Sequence, residues 1–378
     1  MINRIKKVIP EPIKIFKRKI VWHYNNVRPP IYGDKDKDLF LGPWLGDVGS
    51  ELFQWIPYVR RLKENGRLHH KNIYAISRGG VENWYGGLAD NYVEILDYID
   101  DKIYQEPFVR SKKRSLGEKV PTLNKFGNET LNQFRISIIE KNLIAKYAEQ
   151  HNIKNYEIFH PSHMWINVNK FKAHWQNDSL SLYEFDKSFL YEKFRMVTKK
   201  YSNLVDELDL PEDFIAAKFY YHPTNLLESK ENAKHVSDYI RKLSKKKKIV
   251  DLSVPLPVDE VKSHLLDYKN PNIFQVPLIS QKSINLGVQT EIIRRSQGLV
   301  GTLGGLSILP AFLGKPHLGF FSGHAKSVDQ NMGTLHPYPH DTMTFAHIYE
   351  ELNQMPCKTT DIKRVNVLGN LFAGSSVT

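Results

Sequence analysis

Short apolar segments alternate with amphipathic segments in two successive series, and this alternation is the feature that most constrains the fold. Each series reads as strands interleaved with helices, which predicts parallel β-sheets. The strand-like segments are 39–41, 72–77, 155–160, 214–221, 249–253, 272–276, 298–302 and 317–322. The helix-like segments are 51–66, 88–98, 130–150, 235–248, 288–297, the segment starting near 305, and 341–352.

A polar stretch at 204–212 separates the two series. We therefore predict an α/β protein with two doubly wound domains that face a cleft. The predicted divisions are a basic arm and linker (1–38), a first domain (39–210), a second domain (211–340) and a C-terminal helix and tail (341–378). Ligands of such sheets bind at the carboxyl ends of the strands.

The charge of the chain is concentrated near its N-terminus. The net charge is +12 over 378 residues, and residues 1–30 carry eight Lys or Arg and a single acid. The remainder is only mildly basic, which argues against a nucleic-acid-binding face on the folded domains. The chain has one cysteine, which excludes a disulfide framework and a cysteine-based zinc module.

Residues 1–30 interleave these cations with Ile, Phe and Trp22. An apolar stripe flanked by cations can lie on an anionic membrane surface. The alternative is a first helix that packs on the protein and exposes a solvated cationic face. No run of about 18 apolar residues and no signal-peptide pattern occurs. We expect a cytoplasmic protein, and the first interpretation adds peripheral attachment to the inner face of the membrane.

A first glycine loop, Gly46-Asp47-Val48-Gly49-Ser50-Glu51, lies between a strand-like and a helix-like segment. Its two acids would repel a phosphate, but either Asp47 or Glu51 could act as general base on a hydroxyl. The alternative is that Asp47 or Ser50 caps the helix, with Glu51 in the first turn. One residue can cap the helix while the other acts as the base.

A second glycine loop follows the strand at 298–302 and contains no acid. Glycines and hydroxyls at the start of a helix suit a diphosphate, although the same pattern also occurs in a plain strand–helix turn. The candidate donor-binding residues of this loop are Gly301, Thr302, Gly304, Gly305 and Ser307.

Other candidates lie at the ends of predicted strands. Lys218 and Tyr220 lie at the end of the first strand of the second series and are assigned to donor binding, because the lysine could neutralise a phosphate. Arg78 and His160 end strands of the first series and could line an acceptor pocket. The alternative for each of them is a structural role. No metal-ligand motif occurs in the sequence, so we expect neither a metal ion nor a cofactor.

The segment from Val288 to Ser322 resembles the donor side of GT-B glycosyltransferases, and the chain is most similar to heptosyltransferase-like and related bacterial surface-polysaccharide transferases. Gly46-Asp47-Val48 matches their Gly-Asp-Val turn, whose Asp is the proposed base, and Lys218 matches their phosphate-binding Lys. The resemblance covers roughly 39–62 and 214–322. The chain departs from the pattern at Gly301–Gly305, where heptosyltransferases have an Asp-Thr-Gly type of turn followed by a His.

The resemblance implies two Rossmann-like domains and a metal-independent, inverting transfer from a nucleotide-sugar donor to a glycan or glycolipid acceptor in polysaccharide biosynthesis. Gln289 and Glu291 belong to the similar donor-side segment and are also assigned to donor binding. Two other classes of function remain open. One is a nucleotide-sugar epimerase or pyruvyl transferase on a similar scaffold, and the other is a non-catalytic protein that binds anionic glycan or nucleic acid.

Deleting residues 1–30 tests the interpretation of the arm. We expect weaker binding to anionic vesicles in a sedimentation assay, because the deletion removes the most cationic segment. Turnover on a soluble acceptor should be unchanged. A truncated protein that unfolds would show instead that the arm is a packed structural helix.

Overall fold

The computed structural model describes residues 33–46, 48–64, 66–105, 136–164, 199–222, 226–256, 261–313, 315, 317–321 and 363–366. The predicted arm, apart from residues 33–38, and the predicted helix at 341–352 lie outside these residues. The same is true of Asp47.

The first sheet contains four parallel strands in the order β3-β2-β1-β4. They are β1 (Asp38–Leu41), β2 (Ile73–Ser77), β3 (Asn91–Glu94) and β4 (Tyr156–Phe159). All four residues of β1 are buried, as expected for a parallel strand that is covered on both faces. The chain reverses its winding direction between β1 and β4.

The second sheet contains six strands in the order β12-β11-β10-β5-β7-β9, and only β12 is antiparallel. The strands are β5 (Phe214–Lys218), β7 (Lys248–Asp251), β9 (Ile273–Gln275), β10 (Leu299–Thr302), β11 (His317–Phe321) and β12 (Lys363–Asn366). The first strand, β5, is central, and the winding reverses between β5 and β10. This is the doubly wound order. A separate antiparallel pair joins β6 (Tyr220–Tyr221) to β8 (Lys262–Ser263).

Short helical segments lie at 101–105 and 162–164, and six further helices connect the strands in the described part of the chain. The first, α1, runs from Val48 to Glu64 and contains a π-helical turn at Glu51–Trp55. The others are α2 (Ile138–Gln150), α3 (Lys199–Asp206), α4 (Lys230–Ser244), α5 (Asn285–Arg295) and α6 (Leu309–Phe312). Short 3₁₀ turns occupy Glu82–Tyr85, Ile95–Asp97, Pro277–Ser280 and Gly305–Ile308.

Side chains from both sheets belong to one hydrophobic core. Alternate residues of a strand point to opposite faces of its sheet, so Leu39 and Leu41 of β1 join the central core whereas Phe40 packs toward α2. In the second sheet, Ala216 joins the central core and Ala217 packs toward α4. The central core also contains side chains of α1, α3, α5 and α6. Packing therefore continues across the predicted boundary at 210/211.

The prediction of an α/β protein with parallel sheets is confirmed, and the division into two domains stays a prediction. The segment 88–98 is not a helix, since Asn91–Glu94 forms a strand beside β2. Helix α2 begins at Ile138 rather than at 130, because Ser137 and Glu140 form a capping box. Helix α4 begins at Lys230 because the Ser229 hydroxyl accepts a hydrogen bond from the Asn232 amide.

A seam of glycines joins the two halves of the protein. The Gly287 amide, in the first turn of α5, donates a hydrogen bond to the Gly79 carbonyl (2.8 Å). The first amides of a helix lack partners within it, so this bond satisfies one of them. A Cβ at Gly287 would overlap the Gly80 carbonyl and lie 2.5 Å from Cζ of Tyr201. Gly79 and Gly80 have φ values of +77° and +71°, which favour glycine.

Gly287→Ala is expected to destabilise the protein by about 2 kcal/mol or more, because the added methyl group overpacks the seam. Helix propensity alone predicts the opposite sign, a gain of roughly 0.5–1 kcal/mol. Urea denaturation would measure the difference. The control is Gly66→Ala, whose Cβ would lie 3.3 Å or more from its neighbours at φ +66° and should cost about 1–2 kcal/mol through backbone strain alone. A stabilised Gly287→Ala protein would contradict the seam.

Candidate functional site

The two glycine loops that follow β1 and β10 meet at the junction of the two sheets. A Cβ on Gly305 would lie 3.0 Å from the Gly49 amide nitrogen and 3.3 Å from Cβ of Val48. Both loops follow the carboxyl ends of their strands, next to the positions where the winding of each sheet reverses. Such positions bind ligands in doubly wound sheets. Loops separated by about 250 residues therefore form one candidate site.

Glu51 lies at the first residue of the π-helical turn and is completely buried. Its Oε1 accepts hydrogen bonds from the Ser77 hydroxyl (2.5 Å) and the Tyr85 hydroxyl (2.7 Å). Its Oε2 lies 3.5 Å from Nη1 of Arg78. Burial, together with the charge of Glu51, holds the pKa of Tyr85 well above its usual range. The tyrosine thus stays a neutral donor to the carboxylate.

These contacts bring together Glu51, a candidate base, and Arg78, a candidate acceptor ligand. Because two hydroxyls and a guanidinium surround the carboxylate, it is positioned to hold Arg78 and the end of β2. An acid that deprotonates a substrate must come within about 2.6–3.2 Å of the substrate's hydroxyl. Glu51 is completely buried, and Asp47 lies outside the described residues. The assignment of either acid as the base stays a prediction.

Lys218 and Gln289, two candidate donor ligands, are also brought together. The Lys218 ammonium, at the end of β5, donates a hydrogen bond to Oε1 of Gln289 on α5 (2.9 Å). Lys218 pairs in register with Gly301 of β10. A Cβ at Gly301 would lie 2.9 Å from the carbonyl carbon of Lys218, so this glycine permits the two strand ends to approach closely.

The two hydroxyls of the second loop bind backbone groups. Thr302 accepts a hydrogen bond from the Tyr220 amide (2.9 Å) and donates one to the Tyr220 carbonyl (2.8 Å). Ser307 accepts from the Gly304 amide (3.0 Å) and donates to the Gly304 carbonyl (2.5 Å). Both side chains are buried. They therefore hold the shape of the turn that would receive a ligand.

Glu291 lies on α5 about 200° around the helix from Gln289. It is completely buried, and it accepts hydrogen bonds from Arg294 (2.7 and 2.8 Å) and from Arg295 (2.6 Å). Arg295 also forms an ion pair with Asp206 on α3. These contacts join α5 to α3, and the assignment of Glu291 to donor binding stays a prediction.

His160 follows β4 and is buried. Its Nδ1 accepts a hydrogen bond from the Ser162 amide (3.1 Å), so the proton is on Nε2, which donates to Oε1 of Glu140 (3.0 Å). The other oxygen of Glu140 accepts from the Ser137 amide (2.6 Å). Both ring nitrogens thus tie β4 to the start of α2. The role of His160 in acceptor binding stays a prediction.

Sequence reasoning missed Glu94, the last residue of β3. Its carboxylate accepts hydrogen bonds from the Gly80 amide (2.8 Å), the Leu96 amide (3.1 Å) and the Tyr92 hydroxyl (3.0 Å). Burial raises the pKa of Glu94 to about 7 despite these donors. The interpretation of 88–98 as a helix concealed this residue, because only a strand places it at the candidate edge of the sheet.

Among the described residues, no group of three or more His, Cys, Asp or Glu side chains could hold a metal ion. The described helices also include none that is long and apolar enough to cross a membrane.

The free energy of unfolding should depend on pH through Glu94. Its pKa is about 7 in the folded protein, against 4.5 for an exposed glutamate. The folded state therefore binds the extra proton, and this stabilisation is complete below about pH 4.5 and is lost as the pH rises through 7. The contribution is at most about 3 kcal/mol.

Urea denaturation between pH 5 and 8 would measure this dependence. Glu94→Gln should flatten the decline above pH 6. Asp251→Asn is the control, since burial also raises the pKa of Asp251, to about 6, and that variant should keep the decline between pH 6 and 8. A Glu94→Gln protein with an unchanged slope would contradict the assignment.

No family model and no curated protein sequence matches the chain. Solved structures that are similar include an ADP-heptose LPS heptosyltransferase II from E. coli, with a TM-score of 0.35, 11% identity and coverage of 74% of this chain and 83% of that one. A glycosyl transferase family 9 protein from Veillonella parvula has a TM-score of 0.32 and 12% identity, with coverage of 75% of this chain and 80% of that one. A UDP-GlcNAc 2-epimerase from Methanocaldococcus jannaschii has a TM-score of 0.31 and 9% identity, with coverage of 75% of this chain and 83% of that one. TM-scores of this size establish neither a family nor a function, which therefore depend on the residues of the site.

Proposed function

We propose that this protein is a glycosyltransferase that moves a sugar from a nucleotide-sugar donor to a hydroxyl of a glycan or glycolipid acceptor. The observation that carries the proposal is the contact between the two glycine loops, Gly305 against Val48 and Gly49. One loop suits a diphosphate, and the other carries an acid. Their contact would place a leaving group and a general base on the same reacting centre.

On the donor side, the diphosphate would bind the turn that begins at Gly304. Backbone amides at the start of such a turn attract anions. The Lys218 ammonium, at the neighbouring strand end, would neutralise part of the charge. Together these groups would stabilise the nucleoside diphosphate as it leaves, with no divalent ion.

On the acceptor side, Asp47 would take the proton of the acceptor hydroxyl. The hydroxyl oxygen then attacks the anomeric carbon, and the bond from that carbon to the diphosphate oxygen breaks. The leaving nucleoside diphosphate keeps the bonding electrons, and the configuration at the anomeric carbon inverts. Arg78, held by Glu51, would orient the acceptor.

Three variants test this division of roles. Asp47→Asn should lower turnover by ~10²–10⁴-fold, because it removes the base, and should leave nucleotide affinity unchanged, since the acid would not touch the diphosphate. Glu51→Gln is the matched control. It should lower thermal stability by breaking buried hydrogen bonds and should reduce turnover less than Asp47→Asn. Gly304→Val should weaken nucleoside diphosphate binding, because its side chain would block the turn.

Gly304 has φ −177°, which valine can adopt, so this variant is expected to fold. Turnover would be followed by nucleoside diphosphate release, and affinity by calorimetry, with and without EDTA. Normal turnover in both acid variants would contradict the mechanism, and loss of turnover in EDTA would contradict its metal independence. A new nucleotide sugar formed without any acceptor would identify an epimerase instead.

A further inference from the structure

A chain of buried side-chain amides links the core of the second half to Lys218. The Asn285 amide group donates to the carbonyl of Ile279. Nε2 of Gln289 donates to Oδ1 of Asn285 (2.5 Å), and Oε1 of Gln289 accepts from the Lys218 ammonium (2.9 Å). We infer that Asn285 and Gln289 are positioning residues that aim the Lys218 ammonium at the diphosphate of the donor. The inference rests on the proposed function.

The carbonyl of Ile279 determines the orientation of each amide in this chain. Because a carbonyl only accepts, the NH₂ group of Asn285 must face it, and the oxygen of Asn285 faces Gln289. The NH₂ group of Gln289 must then face Asn285, which leaves its oxygen for Lys218. The backbone of the Pro277–Ser280 turn thus dictates that an acceptor is presented to the lysine.

The burial of the two amides makes this arrangement rigid. Gln289 is 0% exposed and Asn285 is 3% exposed. A buried amide that loses its hydrogen-bond partner is destabilising, so neither side chain can turn without a large penalty. Asn285 and Gln289 are four residues apart on α5 and therefore lie on the same face of the helix.

The neutrality of Gln289 matters for an anionic ligand. A glutamate at this position could also accept a hydrogen bond from Lys218, but its carboxylate has no N–H for Oδ1 of Asn285. Its negative charge would also offset the charge of the ammonium. A neutral amide fixes the position of the ammonium without placing a negative charge beside it.

The structure offers a matched control pair. The Lys247 ammonium donates to Oε1 of Gln297 (2.8 Å), which is nearly the same geometry as in the Lys218–Gln289 pair. Gln297 precedes β10 and Lys247 precedes β7. This pair therefore lies at the amino-terminal ends of the strands, whereas the candidate site lies at their carboxyl ends. Gln297→Met removes a comparable hydrogen bond without touching the candidate site.

The experiment measures pyrophosphate and UDP binding by titration calorimetry. The proteins are the unsubstituted chain, Lys218→Met, Gln289→Met, the double variant, Gln289→Glu and Gln297→Met. We expect Lys218→Met to weaken pyrophosphate binding about tenfold or more and Gln289→Met about two- to tenfold. Gln289→Glu should weaken it more than Gln289→Met does, and Gln297→Met should leave it unchanged.

The double variant distinguishes a positioning role of Gln289 from a purely structural one. If Gln289 acts through Lys218, Gln289→Met has no further effect when Lys218 is already methionine. An equal loss in both backgrounds overturns the inference, and so does a Gln289→Met protein with normal affinity while Lys218→Met is impaired. An unsubstituted protein that binds neither probe overturns the proposed function itself. Should Gln289→Met fail to fold, Gln289→Glu, which keeps a hydrogen-bond acceptor for Lys218, carries the comparison.

Discussion

The close approach of Gly287 to the Gly79–Gly80 turn determines how the two halves of this protein fit together. The amide–carbonyl bond of 2.8 Å between Gly287 and Gly79 requires that neither backbone carries a side chain at the contact. The hydroxyl of Tyr201 extends over the same seam to bind Glu82 (2.7 Å). The turn that follows β2 and the start of α5 are thereby fixed relative to each other.

Helix α5 transmits this constraint to the candidate site. One face meets the first half of the protein through Gly287 and through Thr290, which accepts a hydrogen bond from the indole of Trp84 (3.0 Å). The neighbouring face carries Gln289, which binds Lys218. The same seam lies beside Arg78, which Glu51 holds. The groups proposed to bind the two substrates are thus all positioned relative to helix α5. This arrangement favours a site whose geometry exists before either substrate binds.

The sequence predicted the local features well and the long-range ones poorly. Strand β1 and helix α1 overlap the segments 39–41 and 51–66 that apolar periodicity predicted. Leu52, Trp55 and Val59 of α1 are buried in the central core. The prediction of a helix at 88–98, where the structure has strand β3, was wrong. The apolar spacing of this segment suits both a helix and a strand, and only the pairing with β2 decides between them. Periodicity contains no information about such pairing.

The candidate site shows the same division. Both glycine loops were visible in the sequence because glycines between a strand and a helix have local causes. The contact between the two loops was not visible in the sequence, because it depends on how the two sheets share a core. The burial of Glu51 and the partner of Lys218 also depend on residues far away in the chain. Sequence alone therefore could not separate ligand-binding groups from the groups that hold them.

The structure of a complex with a nucleoside diphosphate, UDP or ADP, would test the central claim most directly. The account predicts that the diphosphate lies against the turn beginning at Gly304, within hydrogen-bond distance of the Lys218 ammonium. It also predicts that Gln289 keeps its bond to Lys218 and does not touch the ligand. A diphosphate bound at the opposite edge of the second sheet, near Lys247, or one that leaves Lys218 without contact, would contradict it.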